Sequence, residues 1–314
     1  CGAMATPHPF RFGLNAHSAP DARRWTELAR RAEDLGYATL TVCDHVNPQL
    51  APFPALTAAA AATTTLRVGT LVLANDLRHP VLTAKEIATV DLLSGGRFEW
   101  GQGTGWLPVD YEATGVPADR PGVRLARLAE SVAVMRGLLS GEPLDHDGVH
   151  YRGRGITGTP RPVQRPHPPL LIGGSQPRLL ALAGREADIV HLSPWLRSRQ
   201  FGAFPPSLGV EDAMDQQVRT VRDAAGDRAD HLELALSATV RWTERPEDEA
   251  AEVGPNAGLS PEEALRSPHL LLGTVDRVCE LLLARRQRWG LSYVVVPAGQ
   301  ADRFAPVVAR LAGR

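Results

Sequence analysis

The feature that most constrains this chain is an alternation. Short β-branched runs and helical segments follow one another eight times along 314 residues. The runs are Phe10 to Leu14, Thr39 to Cys43, Leu66 to Leu73, a glycine-flanked stretch from Arg97, Pro169 to Ile172, Asp188 to Leu192, Leu232 to Val240 and Ser292 to Val296. Leu66 to Leu73 is apolar on both faces, as a parallel strand covered on both sides must be. Helices are expected from Pro20-Asp21 to Leu35, where Gly36 stops the first, from Pro80 to Leu93, from Arg120 to Leu139, and after each later strand. Eight βα units match a closed parallel (β/α)8 TIM barrel, an α/β fold of about 250 residues plus insertions. An open doubly wound sheet would want a GxGxxG turn after its first strand. Asn15-Ala16-His17 stands there instead.

The segments left over read as insertions in one domain that runs from residue 5 to 314: 107–121, 141–168, 193–210 and 241–273. Leu107 to Pro121 reads as an irregular loop, and Val149-His150-Tyr151 as part of a small hairpin. Cys1-Gly2-Ala3 ahead of Met4 reads as a short remnant and is set aside with Met4.

A net charge of −1 and the lack of a basic run interleaved with aromatics argue against nucleic acid as a partner. No apolar run of about 18 residues suggests a membrane span. Cys1, Cys43 and Cys279 are odd in number and far apart, which fits a reducing cytoplasm. No cysteine pair has zinc spacing, and His146 and His150 flank Gly148 in a loop, so no metal is expected.

In a barrel of this class the active site lies at the C-terminal ends of the strands. Those ends carry Asn15, Asp44-His45, Leu73 to Asp76, Gly103-Thr104-Gly105-Trp106, Gly173-Gly174-Ser175, His191 with Ser193, and Arg241-Trp242. Small residues, an imidazole and an acid converge there, which suits a ligand cavity lined by backbone amides. Adjacent strand residues face opposite sides, so one of Asp44 and His45 points inward while the other braces the loop. Read functionally, the histidine gives a hydrogen bond or proton to a bound ring; read structurally, the pair is a capping Asp beside a surface His. Gly173-Gly174-Ser175 lies between a strand and a helix N-terminus, where free N–H groups favour a phosphate; plain turn chemistry is the alternative.

Together these residues resemble the luciferase-like monooxygenase superfamily, in its branch of coenzyme F420-dependent oxidoreductases. The resemblance spans Phe12-Gly13 to the C-terminus. It is carried by Thr41 to His45, Leu66 to Leu73, Arg78-His79-Pro80, Asp91 to Arg97, Gly101 to Trp106 and Leu171 to Gly174. It implies a TIM barrel with insertions, often a homodimer, that holds a flavin or deazaflavin flat at the strand ends. By the same resemblance Leu71-Val72 is a non-prolyl cis peptide behind the ring, and Asp44 and His45 are the ring-facing pair. Thr104 and Gly105 become ring or ribityl contacts, Gly173, Gly174 and Ser175 the phosphate loop, and Asn75 a further cofactor contact.

One position departs from the family. Some F420-dependent dehydrogenases keep a glutamate as general acid directly after the Thr-Gly pair, and Trp106 stands there. His45 is then the nearest catalytic candidate, with Tyr111 and Asp110 behind it, while Asn15 and Trp106 line the substrate pocket. No Lys and His cluster grips a sugar phosphate. The resemblance points to an F420H2-dependent reductase acting on an activated C=C or C=N bond of a small molecule or modified peptide. Its rivals are a reduced-FMN and dioxygen monooxygenase, with FMN as the cofactor, and a non-catalytic barrel partner protein.

Overall fold

Parallel strands cannot be joined by tight turns and need a crossover, usually a helix, after each one. A computed structural model describes residues 8–194 and 210–314 and supplies those crossovers. In chain order the elements are β1 Arg11–Asn15, α1 Ala22–Asp34, β2 Thr39–Val42, α2 Pro52–Ala61, β3 Arg67–Thr70, α3 Pro80–Leu93, β4 Phe98–Gly103, α4 Pro121–Ser140, β5 Leu170–Gly174, α5 Pro177–Glu186, β6 Ile189–Leu192, α6 Glu211–Ala225, β7 Glu233–Ser237, α7 Val275–Trp289, β8 Leu291–Pro297 and α8 Ala301–Leu311. This is the order of a (β/α)8 TIM barrel with insertions, the expected fold class. Proline opens α2, α3, α4 and α5, where its missing N–H costs nothing. Gly141 and Gly290 close α4 and α7 in the left-handed region, at φ 81° and 80°.

Two expectations are corrected. The segment 107–121 contains a helix, Pro108–Thr114, opened by proline and closed by Gly115 at φ 72°. The run Leu232 to Val240 is two strands: β7 ends at Ser237, and Thr239–Trp242 pairs with Leu270–Gly273 in a separate two-stranded sheet. In 141–168 the small hairpin is present as expected: its strands are Pro143–Asp147 and Arg152–Thr157, and Val149-His150-Tyr151 is part of its turn. Of the insertion expected at 193–210, residues 195–209 lie outside the described residues, as do residues 1–7.

The chain divides into two compact units. One holds the described residues of Cys1–Asn15, Ala32–Thr39 and Ile172–Arg314; the other holds Ala16–Arg31 and Leu40–Leu171. In the first, β8 is parallel to β1, from Arg11↔Tyr293 to Asn15↔Pro297, and also to β7. Phe10 stacks on Phe12, and Phe12 meets Phe304 of α8 edge-on. Arg11 lies within 2.6–2.9 Å of the Glu233 carboxylate through Nε and Nη2. The insertion 241–273 folds on a small core of its own, with Ala250, Leu259, Ala264, Leu270 and Leu272 buried together.

In the second unit, β3 and the two-residue strand Leu73–Ala74 both lie parallel to β4. Arg97 donates to the carbonyls of Ala60 and Leu66, tying the end of α2 and the start of β3 to β4. Fully buried Asp91 accepts from the amides of Val163 and Gln164, pinning the stretch before β5 against α3. Among the described residues no helix is long and apolar enough to cross a membrane.

Candidate functional site

In the second unit the chain leaves β2 at Val42 and enters Cys43-Asp44-His45. Asp44 is buried, and Arg78 grips both its oxygens, Nε at 2.6 Å and Nη2 at 2.7 Å. The Ala74 amide also donates to it at 3.1 Å. Paired, charge-assisted bonds of this kind are strong and directional. Asp44 is thus the brace of its pair, fixing the turn Asn75–Leu77.

His45 turns elsewhere. Its Nδ1 lies 2.7 Å from Asp110 Oδ2, and Asp110 Oδ1 accepts the Val46 amide at 3.1 Å. Asp110 is 2 % exposed. A carboxylate accepts, so Nδ1 carries the hydrogen of this bond and Nε2 is the nitrogen left outside the pair. The Trp106 indole meets the imidazole edge-on, with centroids 5.9 Å apart and planes at 87°.

Behind these groups is a close-packed backbone floor. The Leu71–Val72 bond is cis, as the resemblance implied. Cys43 Sγ donates to the Leu71 carbonyl and the Leu71 amide donates to the Val42 carbonyl. Asn75 is buried, donating to the Tyr151 hydroxyl and accepting from Gln102 Nε2 at 3.1 Å. The Gln102 Oε1 is buried without a partner.

Tyr111, expected as a second proton-transfer candidate, is a scaffold residue instead. It is 5 % exposed. Its hydroxyl sits 3.1 Å from Asp76 Oδ2 and 3.4 Å from the Thr104 carbonyl, and accepts from Arg124 Nη1. Burial, and after it the Asp76 charge, raises the phenol above its usual range against the pull of Arg124. A phenol that holds its proton so firmly, and is already engaged on three sides, is a poor acid. It fixes Gly105, whose φ is +76° and whose added Cβ would lie 2.5 Å from the Tyr111 hydroxyl. Arg124 completes the clamp on the Gly105 carbonyl.

Asn15, Gly173, Gly174 and Ser175 belong to the first unit. Gly174 ends β5 and accepts the Ser193 amide at 3.0 Å; a Cβ there would lie 2.3 Å from Leu179 Cδ2. Gly173 precedes it in the strand, and Ser175 follows just before α5. Asn15 lies at the end of β1 and lines a cavity with residues that follow β7 and β8.

Two buried histidines stand beside that cavity's Ser237. His191 Nε2 is 3.0 Å from Ser237 Oγ, and His269 Nδ1 is 3.0 Å from the Ser237 carbonyl. Burial pushes His191 down to about 4 and His269 down to about 3. Both are neutral near pH 7. Between those values and the unfolded value near 6.5 the unfolded chain binds more protons than the folded one, so stability falls as pH drops through this window. The expected slope is at most about 1.4 kcal/mol per pH unit for each histidine. Denaturation midpoints at pH 7, 6 and 5 check this, and His269→Asn should flatten the dependence.

The sequence singled out His45, Asp44 and Trp106, and the fold brings His45 and Trp106 together. It understated Asp110 and missed Arg124, Gln102 and His269 as parts of sites. Their partners lie far along the chain, so spacing held no signal for them.

The model of the family described as luciferase-like monooxygenase matches residues 4–292. A relative from Nakamurella multipartita, an F420-dependent glucose-6-phosphate dehydrogenase, is 34 % identical over 246 residues, covering 76 % of this chain and 69 % of its own. The solved coenzyme F420 dependent tetrahydromethanopterin reductase from Methanopyrus kandleri superposes with a TM-score of 0.75 at 20 % identity, over 97 % of this chain and 98 % of that one. An FMN-bound type II Baeyer-Villiger monooxygenase from Pseudomonas putida reaches 0.71 at 18 % identity, over 97 % and 98 %. At such identity the two structures bear on the fold alone. The alternating strands and helices, the residues at the strand ends and the family match along most of the chain together place this protein in the luciferase-like monooxygenase family.

Proposed function

We propose that this chain is a coenzyme F420-dependent oxidoreductase, working as an F420H2-dependent reductase on an activated C=C or C=N bond. The substrate is a small molecule or modified peptide. The observation that carries the reading is the Asp110–His45 pair beside Trp106. It sets one oriented imidazole next to the seat where family dehydrogenases keep a glutamate.

The donor chemistry fits a deazaflavin. The buried, unpartnered Gln102 Oε1 and the free nitrogen of His45 suit a ring whose edge carries N–H and O–H groups. His45, Asn75, the backbone of Leu71–Val72 and that of Thr104–Gly105 would hold the ring. When bound, the deazaflavin supplies a hydride at C5.

Reducing a C=C or C=N bond consumes one hydride and one proton. His45 would first take a proton from solvent at Nε2 and then pass it to the substrate, while Asp110 keeps Nδ1 protonated and the ring in place. Such general-acid help is worth about 10²- to 10⁴-fold. Asp44 acts through Arg78 and the Ala74 amide. Trp106 cannot transfer a proton at neutral pH; it walls the substrate and packs against His45.

One second reading on the same fold is a reduced-FMN and dioxygen monooxygenase. Titrating F420 and FMN separately against apo protein tests both. The expected result is F420 binding at micromolar concentration or tighter, weaker FMN binding, and no oxygen uptake during turnover. If neither cofactor binds below high micromolar, the assignment fails; oxygen uptake with FMN would transfer it to the monooxygenase.

A further inference from the structure

In the first unit, residues at and beyond the ends of β1, β7 and β8 line an open cavity of about 420 Å³. That volume suits a small organic molecule. Its wall is apolar along Leu270, Val295 and Val296 and polar at Ser237, Arg241 and His269. Among the described residues that line it none is Asp or Glu, so the charge it presents is the Arg241 guanidinium. Arg241 pairs with Glu249 at 3.9 Å, and the Arg241 side chain is 57 % exposed. A ligand carboxylate can share or displace so long a pair.

His269 is built into the wall rather than lying on it. It is 4 % exposed. The Ser237 carbonyl can only accept, so His269 Nδ1 carries the hydrogen and Nε2 is an acceptor. Arg285, itself buried, donates from Nη2 to the carbonyls of Ser267 and Leu270 at 2.7 and 2.8 Å, on either side of His269 in the chain. The imidazole is thereby fixed as an acceptor. The Ser237 hydroxyl lies 3.0 Å from His191 Nε2 and is a second polar group of the wall. A buried acceptor left without a donor is costly, so such a wall selects ligands that bring one.

We propose that this cavity is a substrate subsite for small carboxylates that also carry an N–H or O–H donor, with Arg241 pairing the carboxylate and His269 Nε2 accepting from the donor. Calling the ligand a substrate rests on the oxidoreductase reading; the binding itself does not.

The probe is N-acetyl-phenylalanine, compared with its amide, which lacks the carboxylate, and with 3-phenylpropanoate, which lacks the N–H. Binding to the full chain is measured by calorimetry or ligand-observed NMR without cofactor. Arg241→Met should weaken the acid about tenfold and leave the amide unchanged. His269→Asn keeps a donor for the Ser237 carbonyl but removes the Nε2 acceptor. It should weaken the acid and the amide about tenfold and spare 3-phenylpropanoate. His269→Gln, with an oxygen near the Nε2 position, should recover part of the loss. Folding of each variant is checked by circular dichroism. The proposal is overturned if the acid does not bind at millimolar concentration, or if folded variants bind all three probes as the wild type does. F420 binding without probe binding would sink this inference alone; probe binding without F420 binding would sink only the cofactor reading.

Discussion

Replacing His45 with alanine is expected to slow turnover by about 10²- to 10⁴-fold while leaving cofactor affinity within several-fold. The split follows from the geometry. The imidazole is one of several proposed ring contacts, so binding loses a single hydrogen bond. It is the oriented imidazole whose Nε2 can relay a proton from solvent to the substrate, so the chemical step loses its proton donor. Asp110→Asn should show a smaller loss. The amide can still hold the ring, but it no longer stabilises a protonated imidazole and can force the other tautomer. Single-turnover oxidation of F420H2 with an activated enone or cyclic imine, followed as absorbance, separates chemistry from binding. Unchanged single-turnover rates in His45→Ala would remove His45 from the mechanism, whatever the cofactor affinity.

Gly101→Ala should be the most disruptive small substitution in the strand-end region. An added Cβ would lie 2.1 Å from the Thr70 carbonyl oxygen and 3.1 Å from Val72 Cγ1. Backbone cannot yield as a side-chain tip can. The Thr70 hydroxyl also bridges the two strands, accepting the Gly101 amide at 2.8 Å and donating to the Gly101 carbonyl at 2.9 Å. Forcing the strands apart breaks both bonds and shifts the floor under the proposed ring. A loss of about 3 kcal/mol or more is expected, at the upper end of overpacking effects. Gly122→Ala is the matched control. Nothing lies within 4 Å of its added Cβ, and its position in the first turn of α4 favours alanine. Urea denaturation of the two variants should move the midpoint in opposite directions. A Gly101→Ala protein as stable as wild type would show that β3 and β4 are less closely locked than these distances indicate.

Much of the framework was legible in the residues because its signals are local. Gly141 and Gly290 close helices whose periodicity is visible without any partner, and proline marks where α2 to α5 begin. The segment Pro108–Thr114 was missed because seven residues show too little periodicity to outweigh the glycines and prolines around them. The break between β7 and Thr239–Trp242 was missed for a different reason. Both halves have strand composition, and what separates them is the pairing of the second with Leu270–Gly273, some thirty residues on.

The site divides in the same way. Asp44-His45 at the end of a β-branched run was visible as a pair pointing two ways. Which way each points was not, because Asp44 meets Arg78 34 residues later and His45 meets Asp110 65 residues later. Tyr111 shows the same limit from the other side. Its residue type suits proton transfer, yet burial against Asp76, Thr104 and Arg124 makes it a strut. The sequence by itself determined the alternation of strands and helices, the small residues at the strand ends and the tryptophan that follows Thr104-Gly105. All of these are matters of composition and short-range order. The tertiary structure alone decided that His45 is oriented by Asp110, that Asp44 braces a turn, and that His269 is a fixed acceptor in a cavity wall, because hydrogen-bond partners distant in sequence are chosen only when the chain has folded.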